Sequence, residues 1–161
     1  MSANTPARGY TLIEILVVLV LIGIVVSFAR LGGAFNSPER TLEALAQREA
    51  ARIRERCDQA ELSAADFGFL ATSRALSVLH WDGEKWLQEA NSEAFYGDQV
   101  SIKVEKDGVL SDPDALSGPA LVCTATGEFT PFGLEFSHPS APQRARISGT
   151  AAGELTVGLR P

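Results

Sequence analysis

The residue of this chain best placed for chemistry is Glu14, the only charged side chain between Tyr10 and Ala29. A carboxylate near the start of an apolar helix costs up to a few kcal/mol when the helix enters a bilayer. If the chain is cut after Gly9, Tyr10 carries a new amine one helical turn from Glu14. The amine and the carboxylate then lie at the same depth, where they can pair within one helix or between two copies. The dipole of the helix N-terminus also favours a carboxylate there.

The segment that positions Glu14 is the apolar run from Tyr10 to Ala29. A helix of this length spans about 30 Å, the thickness of a bilayer hydrocarbon core. Because the run has no polar face, it predicts insertion into a membrane. It suits a plain transmembrane anchor, a signal peptide cut after Ala29, or a leader cut after Gly9 whose helix is retained. Only the third interpretation has a use for Glu14.

The remainder of the chain has the composition of one acidic globular domain. The 161 residues contain 14 Lys and Arg against 20 Asp and Glu, a net charge of −6. Such a surface repels nucleic-acid phosphates, so we expect no nucleic-acid partner. The longest basic feature, Arg48 to Arg56, is interleaved with Glu43, Glu49 and Glu55, which predicts a solvated helix face of mixed charge.

The two cysteines, Cys57 and Cys123, leave two alternatives open. They lie 66 positions apart and show no spacing typical of a metal site. If the domain lies outside the cytosol, a disulfide is permitted, and closing that loop would contribute about 4 kcal/mol in the chain-entropy model. Two buried free thiols are the other alternative.

One helix is predicted after the apolar run. Gly32-Gly33 predicts an interruption, and Ser37, Pro38 and Glu39 suit the cap and first turn of a new helix that ends at about Leu62. Apolar residues recur along it at helical spacing: Leu42, Leu45, Ala46, Ile53, Cys57 and Ala60.

From residue 67 the pattern changes to about eight short strands. Asp82-Gly83 and Asp107-Gly108 predict tight hairpin turns. The fold class is therefore α+β: a long N-terminal α-helix, transmembrane in its first half, packed on an antiparallel, β-sandwich-like head. The predicted strands are Phe67–Ala71, Ala75–Trp81, Lys85–Gln88, Val100–Glu105, Ala120–Cys123, Phe132–Phe136, Arg144–Ile147 and Glu154–Leu159.

We predict no enzyme, cofactor or catalytic residue. His80 lies in a strand beside Trp81 and His138 precedes Pro139 in a turn, so packing or turn roles are favoured over general-base chemistry. Counting residues does not exclude a distant Ser-His-Asp triad, but no Gly-x-Ser-x-Gly nucleophile elbow is present.

No metal site is predicted either. Asp107, Asp112 and Asp114 offer carboxylates of the kind that Ca²⁺ binds, but a solvated polar loop is the favoured interpretation. Trp81 and Trp86 flank a predicted hairpin, which indicates cross-strand packing rather than a ligand platform.

The stretch from Arg8 to Glu14, Arg-Gly-Tyr-Thr-Leu-Ile-Glu, followed by the apolar run, resembles the processing motif of type IV pilins and pseudopilins. The resemblance implies that a prepilin peptidase cuts after Gly9 and methylates Tyr10, and that Glu14 is the assembly glutamate. Tyr10 departs from the usual Phe or Met but is still bulky and apolar.

The rest of the chain resembles the GspH type of minor pseudopilin from type II secretion systems. The resemblance lies in Asp66–Phe69, the hairpin from Trp81 to Trp86, Gly127–Phe132, Ile147–Gly149 and Gly153–Val157. It implies a single-pass protein of the bacterial inner membrane with its carboxy-terminal head in the periplasm.

This resemblance divides the chain into a removed leader (1–9), a transmembrane and filament-core helix (10–31), a soluble continuation of that helix (32–62) and a β-rich head (63–161). The implied function is to assemble at or near the tip of the pseudopilus and to link the tip complex to the major pseudopilin. The implied partners are the prepilin peptidase, other minor pseudopilins, the major pseudopilin and the inner membrane. A minor type IV pilin active in pilus assembly or DNA uptake is the alternative.

Overall fold

The computed structural model of the chain describes residues 12–34 and 37–161. The chain forms two compact units, Met1–Ser37 and Pro38–Pro161, and we call the second unit the head. The predicted processing residues Gly9 and Tyr10 lie outside the described residues.

The first unit contains the helix α1, Leu12–Ala34. Every side chain described in it, from residue 12 to residue 24, is exposed. The helix passes through Gly32 and Gly33, so the predicted interruption there was wrong, and ends at Ala34. A glycine costs only about 1 kcal/mol in a helix, so two near its end do not terminate it. Within the described ranges, no helix is both long enough and apolar enough to cross a membrane.

The head begins with the helix α2, Pro38–Ser63, which starts at the predicted proline. The helix ends at Ser63, and the next residue, Ala64, has a left-handed φ of 52°. The N–H of Ala65 bonds to the carbonyl of Ala60 at 3.2 Å. The predicted apolar stripe is confirmed, with Leu45 and Cys57 at its partly buried margin. The fully buried positions are Leu42, Ala46, Glu49, Ala50, Ile53 and Ala60.

Ten antiparallel strands form two sheets behind α2. Sheet A has the order β3-β2-β1-β7, with β4 also paired to β2, and sheet B has the order β10-β9-β8-β5-β6. All eight predicted strands are present; β4 and β6 are too short for an alternating pattern to predict them. The strands are β1 Phe67–Ala71, β2 Ala75–Trp81, β3 Trp86–Gln88, β4 Ala94–Phe95, β5 Ser101–Lys106, β6 Val109–Ser111, β7 Leu121–Cys123, β8 Phe132–Ser137, β9 Arg144–Gly149 and β10 Leu155–Arg160.

One hydrophobic core joins α2 to both sheets. Ile53 of α2, Phe69 of sheet A and Phe136 of sheet B are each fully buried, and α2 lies mainly against β9 and β10. Each such side chain contributes about 1.5–3 kcal/mol by leaving water. The α+β prediction, with a helix on an antiparallel two-sheet head, is confirmed.

Candidate functional site

Of the residues predicted for processing and assembly, the structure describes Glu14, which lies in the first turn of α1. Its neighbours Ile13 and Ile15 are exposed, so the carboxylate belongs to an otherwise apolar helix surface. The pair between Glu14 and the amine of Tyr10 stays a prediction, because Tyr10 lies outside the described residues.

In the structure, a disulfide bond joins Cys57 of α2 to Cys123 of β7, with the two Cα atoms 5.2 Å apart. This separation is ordinary for a disulfide. The bond ties the C-terminal half of α2 to a three-residue edge strand of sheet A. Beside it lies a cleft of about 180 Å³ whose lining includes Asp58 and Glu61.

Glu49 contradicts the prediction of a solvated mixed-charge face on α2. Its side chain is only 2% exposed and accepts hydrogen bonds from Arg48 at 3.3 Å and Arg52 at 3.1 Å. Arg52 also donates to the carbonyl oxygens of Leu76 and Ser92, which ties α2 to β2 and to the loop after β3. A signal was present in the sequence, because Glu49 lies three residues after Ala46 and four before Ile53, on the apolar stripe itself.

Tyr96 packs beside this network. Its ring meets Phe136 edge-on at 5.6 Å, and its buried hydroxyl has no hydrogen-bond partner among the described residues. Burial, and then the charge of Glu49, raise the pKa of Tyr96 well above its ordinary value. The phenol is therefore neutral at physiological pH, and its role is packing.

The outer face of sheet A is aromatic. Trp81 and Trp86 are directly paired across β2 and β3, with ring centroids 5.3 Å apart in an edge-to-face arrangement. Trp86 also covers Gly68, where a Cβ would lie 3.1 Å from its ring. In the turn, Asp82 accepts backbone hydrogen bonds from Glu84 and Lys85, each at 2.8 Å. These bonds hold the pKa of Asp82 below its ordinary value.

The outer face of sheet B is polar and charged instead. Arg144 donates to Glu135 at 3.0 Å and Arg146 donates to Glu105 at 2.5 Å. The hydrogen bond from Arg146, followed by the charge of that arginine, holds the pKa of Glu105 below its ordinary value. The head therefore carries two outer faces of different chemistry.

The two histidines and the aspartates of the polar loop, considered above as candidates for chemistry, lie in strands and turns. His80 lies in β2 opposite Phe67, whereas His138 bonds through Nε2 to Gln99 at 2.8 Å. Asp112 accepts the N–H of Asp114 at 3.1 Å in a short 3₁₀ turn. In the described part of the chain, no group of three or more His, Cys, Asp or Glu side chains is arranged to hold a metal ion.

The chain is similar to known proteins both in its N-terminal segment and over most of its length. Residues 4–29 match the family model described as the prokaryotic N-terminal methylation motif. The chain is 30% identical to type II secretion system protein H of Pseudomonas aeruginosa over 154 residues, which cover 86% of this chain and 88% of that protein.

Two solved structures share the fold. The minor pseudopilin EpsH from the type II secretion system of Vibrio cholerae matches with a TM-score of 0.63 and 21% identity, over 75% of this chain and 95% of that one. The solution structure of Escherichia coli GspH matches with a TM-score of 0.59 and 19% identity, over 78% of this chain and 99% of that one.

Proposed function

The chain belongs to the family of type II secretion system protein H and is a minor pseudopilin of the GspH type, and from that premise we propose how its parts act in pseudopilus assembly. Its family is structural rather than catalytic, with an inner-membrane anchor and a periplasmic head. The observation that carries the assignment is the likeness to protein H over most of both chains.

The first proposed step is processing of the leader. A prepilin peptidase cleaves the bond between Gly9 and Tyr10 and methylates the new amine of Tyr10. The match to the methylation motif across this bond supports the step. Cleavage removes residues 1–9 and leaves the apolar helix as the N-terminus of the mature protein.

The second proposed step is docking through Glu14. In the membrane, an unpaired carboxylate is costly, and the processed amine is the cation that lies one helical turn away. A subunit that enters the filament can offer its amine to the Glu14 of a neighbour, which neutralises both charges. The position of Glu14 in the first turn of an apolar α1 supports this role.

We place residues 10–31 in the inner membrane as a single span and the head in the periplasm. The periplasm is oxidising and permits the disulfide between Cys57 and Cys123 to persist. The bond would thus form after the head has crossed the membrane.

The proposed position of the subunit is at or near the tip, between the other minor pseudopilins and the major pseudopilin. An adaptor contacts two different neighbours and therefore needs two different surfaces. The aromatic outer face of sheet A and the charged outer face of sheet B supply such a pair. Through this position the protein supports export. The alternative, a minor type IV pilin of DNA uptake, is not favoured by the likeness to protein H.

The test of this function is Glu14→Gln, with Glu39→Gln as its control. Glu39 is the first-turn carboxylate of α2, so both changes remove one charge from the same place on a helix. We expect Glu14→Gln to be cleaved and methylated at Tyr10, as mass spectrometry would show. Its recovery in crosslinked pseudopili should fall at least about tenfold, because a charged partner is left unpaired in a nonpolar environment.

The control should assemble and support secretion normally. Normal recovery of Glu14→Gln in pseudopili would refute the docking role. An unmethylated Tyr10 in the unaltered protein would refute the processing step.

A further inference from the structure

Three arginines lie together on the outer face of sheet B: Arg144 and Arg146 of β9 and Arg160 of β10. We call them the arginine cluster. Arg144 is directly opposite Arg160, and Arg146 is opposite Gly158. Because side chains alternate along a strand, all three point to the same side. Lys103 of β5 adds a fourth cation to this face, since it pairs with Glu135.

The pairing of Arg144 with Arg160 is unfavourable on its own, because like charges directly opposite each other destabilise a sheet. Arg144 is compensated by Glu135 at 3.0 Å. Arg160 is exposed and forms no ion pair with any residue that the structure describes. Arg160 interacts electrostatically with Glu105, but that carboxylate is already hydrogen-bonded to Arg146. The cluster therefore holds more cations than nearby carboxylates.

A trough of about 180 Å³ lies between Arg146 and Arg160, with Gly158, Ser148 and Thr156 in its lining. Arg146 is fixed there, because its Nη1 donates to Glu105 at 2.5 Å and its Nε to Ser148 at 2.9 Å. Its side chain is only 11% exposed. The trough thus combines one rigid guanidinium, one exposed guanidinium and two hydroxyl groups, all of which can donate hydrogen bonds.

We propose that the arginine cluster is a docking site for an acidic segment of a partner protein, with a carboxylate of that segment in the trough beside Arg160. Guanidinium groups bind carboxylates through paired, charge-assisted hydrogen bonds. A carboxylate at this point also relieves the repulsion between Arg144 and Arg160. The site lies wholly in the head, so it goes beyond the leader and Glu14 and does not depend on them.

Protein carboxylates suit this face better than nucleic-acid phosphates. Glu105 and Glu135 neutralise two of the four cations, which leaves a net charge of +2 on the face. A nucleic acid gains affinity from a row of uncompensated cations and from aromatic rings on which bases stack. None of the outward side chains described on sheet B is aromatic.

The test uses the full chain in an uncharged detergent and a fluorescently labelled hexaglutamate peptide, with binding followed by anisotropy. We expect salt-sensitive binding that Arg160→Gln weakens about tenfold, the loss of one charge-assisted contact. The matched control is Arg54→Gln, which removes the same charge from an exposed position on α2 and should leave binding within about twofold.

Arg160→Gln should also melt about 1–3 °C higher, because it removes the like-charge pair, so loss of binding will not reflect unfolding. Unchanged binding by Arg160→Gln would overturn the proposal, as would an equal loss in Arg54→Gln. Tighter binding of a DNA oligonucleotide than of the peptide would assign the cluster to nucleic acid instead. Methylation of Tyr10 and recovery of the subunit in pseudopili test the proposed function separately.

Discussion

The helix α1 and the head differ in the solvent exposure of their apolar side chains. Along α1 every described side chain is exposed, and Leu19 has 63% of its surface accessible. In the head, Leu134 has none accessible. A leucine left in water forgoes about 1.5–3 kcal/mol. The head therefore obtains its stability from its own core, whereas the exposed apolar side chains described on α1 favour apolar surroundings.

From this contrast we expect that different residues determine the folding of the head and the assembly of the protein. Changes in the head should alter its unfolding, and changes in α1 should alter how the protein associates with membrane and neighbours. Three predictions test that separation.

The largest expected effect on the head comes from its disulfide. Cys57→Ser combined with Cys123→Ser should lower the free energy of unfolding of the head by about 4 kcal/mol, because the denatured chain regains the freedom of a closed loop. Denaturant titration followed by circular dichroism measures this loss. Reductant should lower the midpoint of the unaltered protein and leave the double variant unchanged. Equal midpoints for the two proteins would show that the bond contributes nothing.

A matched pair of leucines tests the contrast directly. Leu134→Ala should destabilise the head by about 2–5 kcal/mol, since it opens a cavity in a closed core. Leu19→Ala removes the same atoms from an exposed site and should change unfolding of the head by less than about 0.5 kcal/mol. Both are read from the same denaturation curve. If Leu19→Ala destabilises the head as much as Leu134→Ala, the separation fails.

The smallest effect is a pH dependence confined to sheet B. The hydrogen bond from Arg146 holds the pKa of Glu105 below its ordinary value of 4.5, so the folded state favours the carboxylate. Its contribution to stability is present above pH 4.5 and is lost as the pH falls through the lowered pKa. Glu105→Gln should therefore reduce stability at neutral pH and flatten its fall with acid. Thermal melts of both proteins across this pH range measure the effect. If Glu105 contributes nothing, the melting temperatures of the two proteins will change with pH in the same way.

Much of the fold could be predicted because local chemistry decides it. The apolar-rich runs Phe67–Ala71 and Ala75–Trp81 coincide with β1 and β2. Asp107-Gly108 forms the predicted turn, with φ values of 54° and 79°. Local sequence patterns predicted less well whether a charged side chain is buried or exposed, because tertiary packing decides this. Glu49 was assigned to solvent because charged neighbours surround it in sequence, yet its position on the apolar stripe buries its side chain, which is only 2% exposed.

The candidate sites likewise fall into those that local sequence spacing predicts and those that only the folded structure brings together. Glu14 could be proposed from the sequence because its predicted pairing depends only on its spacing of four residues from Tyr10. The arginine cluster could not, since Arg144 and Arg160 become neighbours only through the register of β9 and β10. The pairing of Cys57 with Cys123 was left open for the same reason, because their proximity depends on how α2 lies against β7.

The contact between Trp81 and Trp86 has a spectroscopic consequence. These are the two tryptophans of the chain, and their rings touch at one hairpin. The tryptophan emission of the protein therefore originates at a single hairpin of sheet A. A partner that settles on that face will shift or quench the emission, whereas one that binds the opposite sheet will leave it nearly unchanged. The protein thus carries an intrinsic fluorescent reporter that distinguishes binding at sheet A from binding at sheet B.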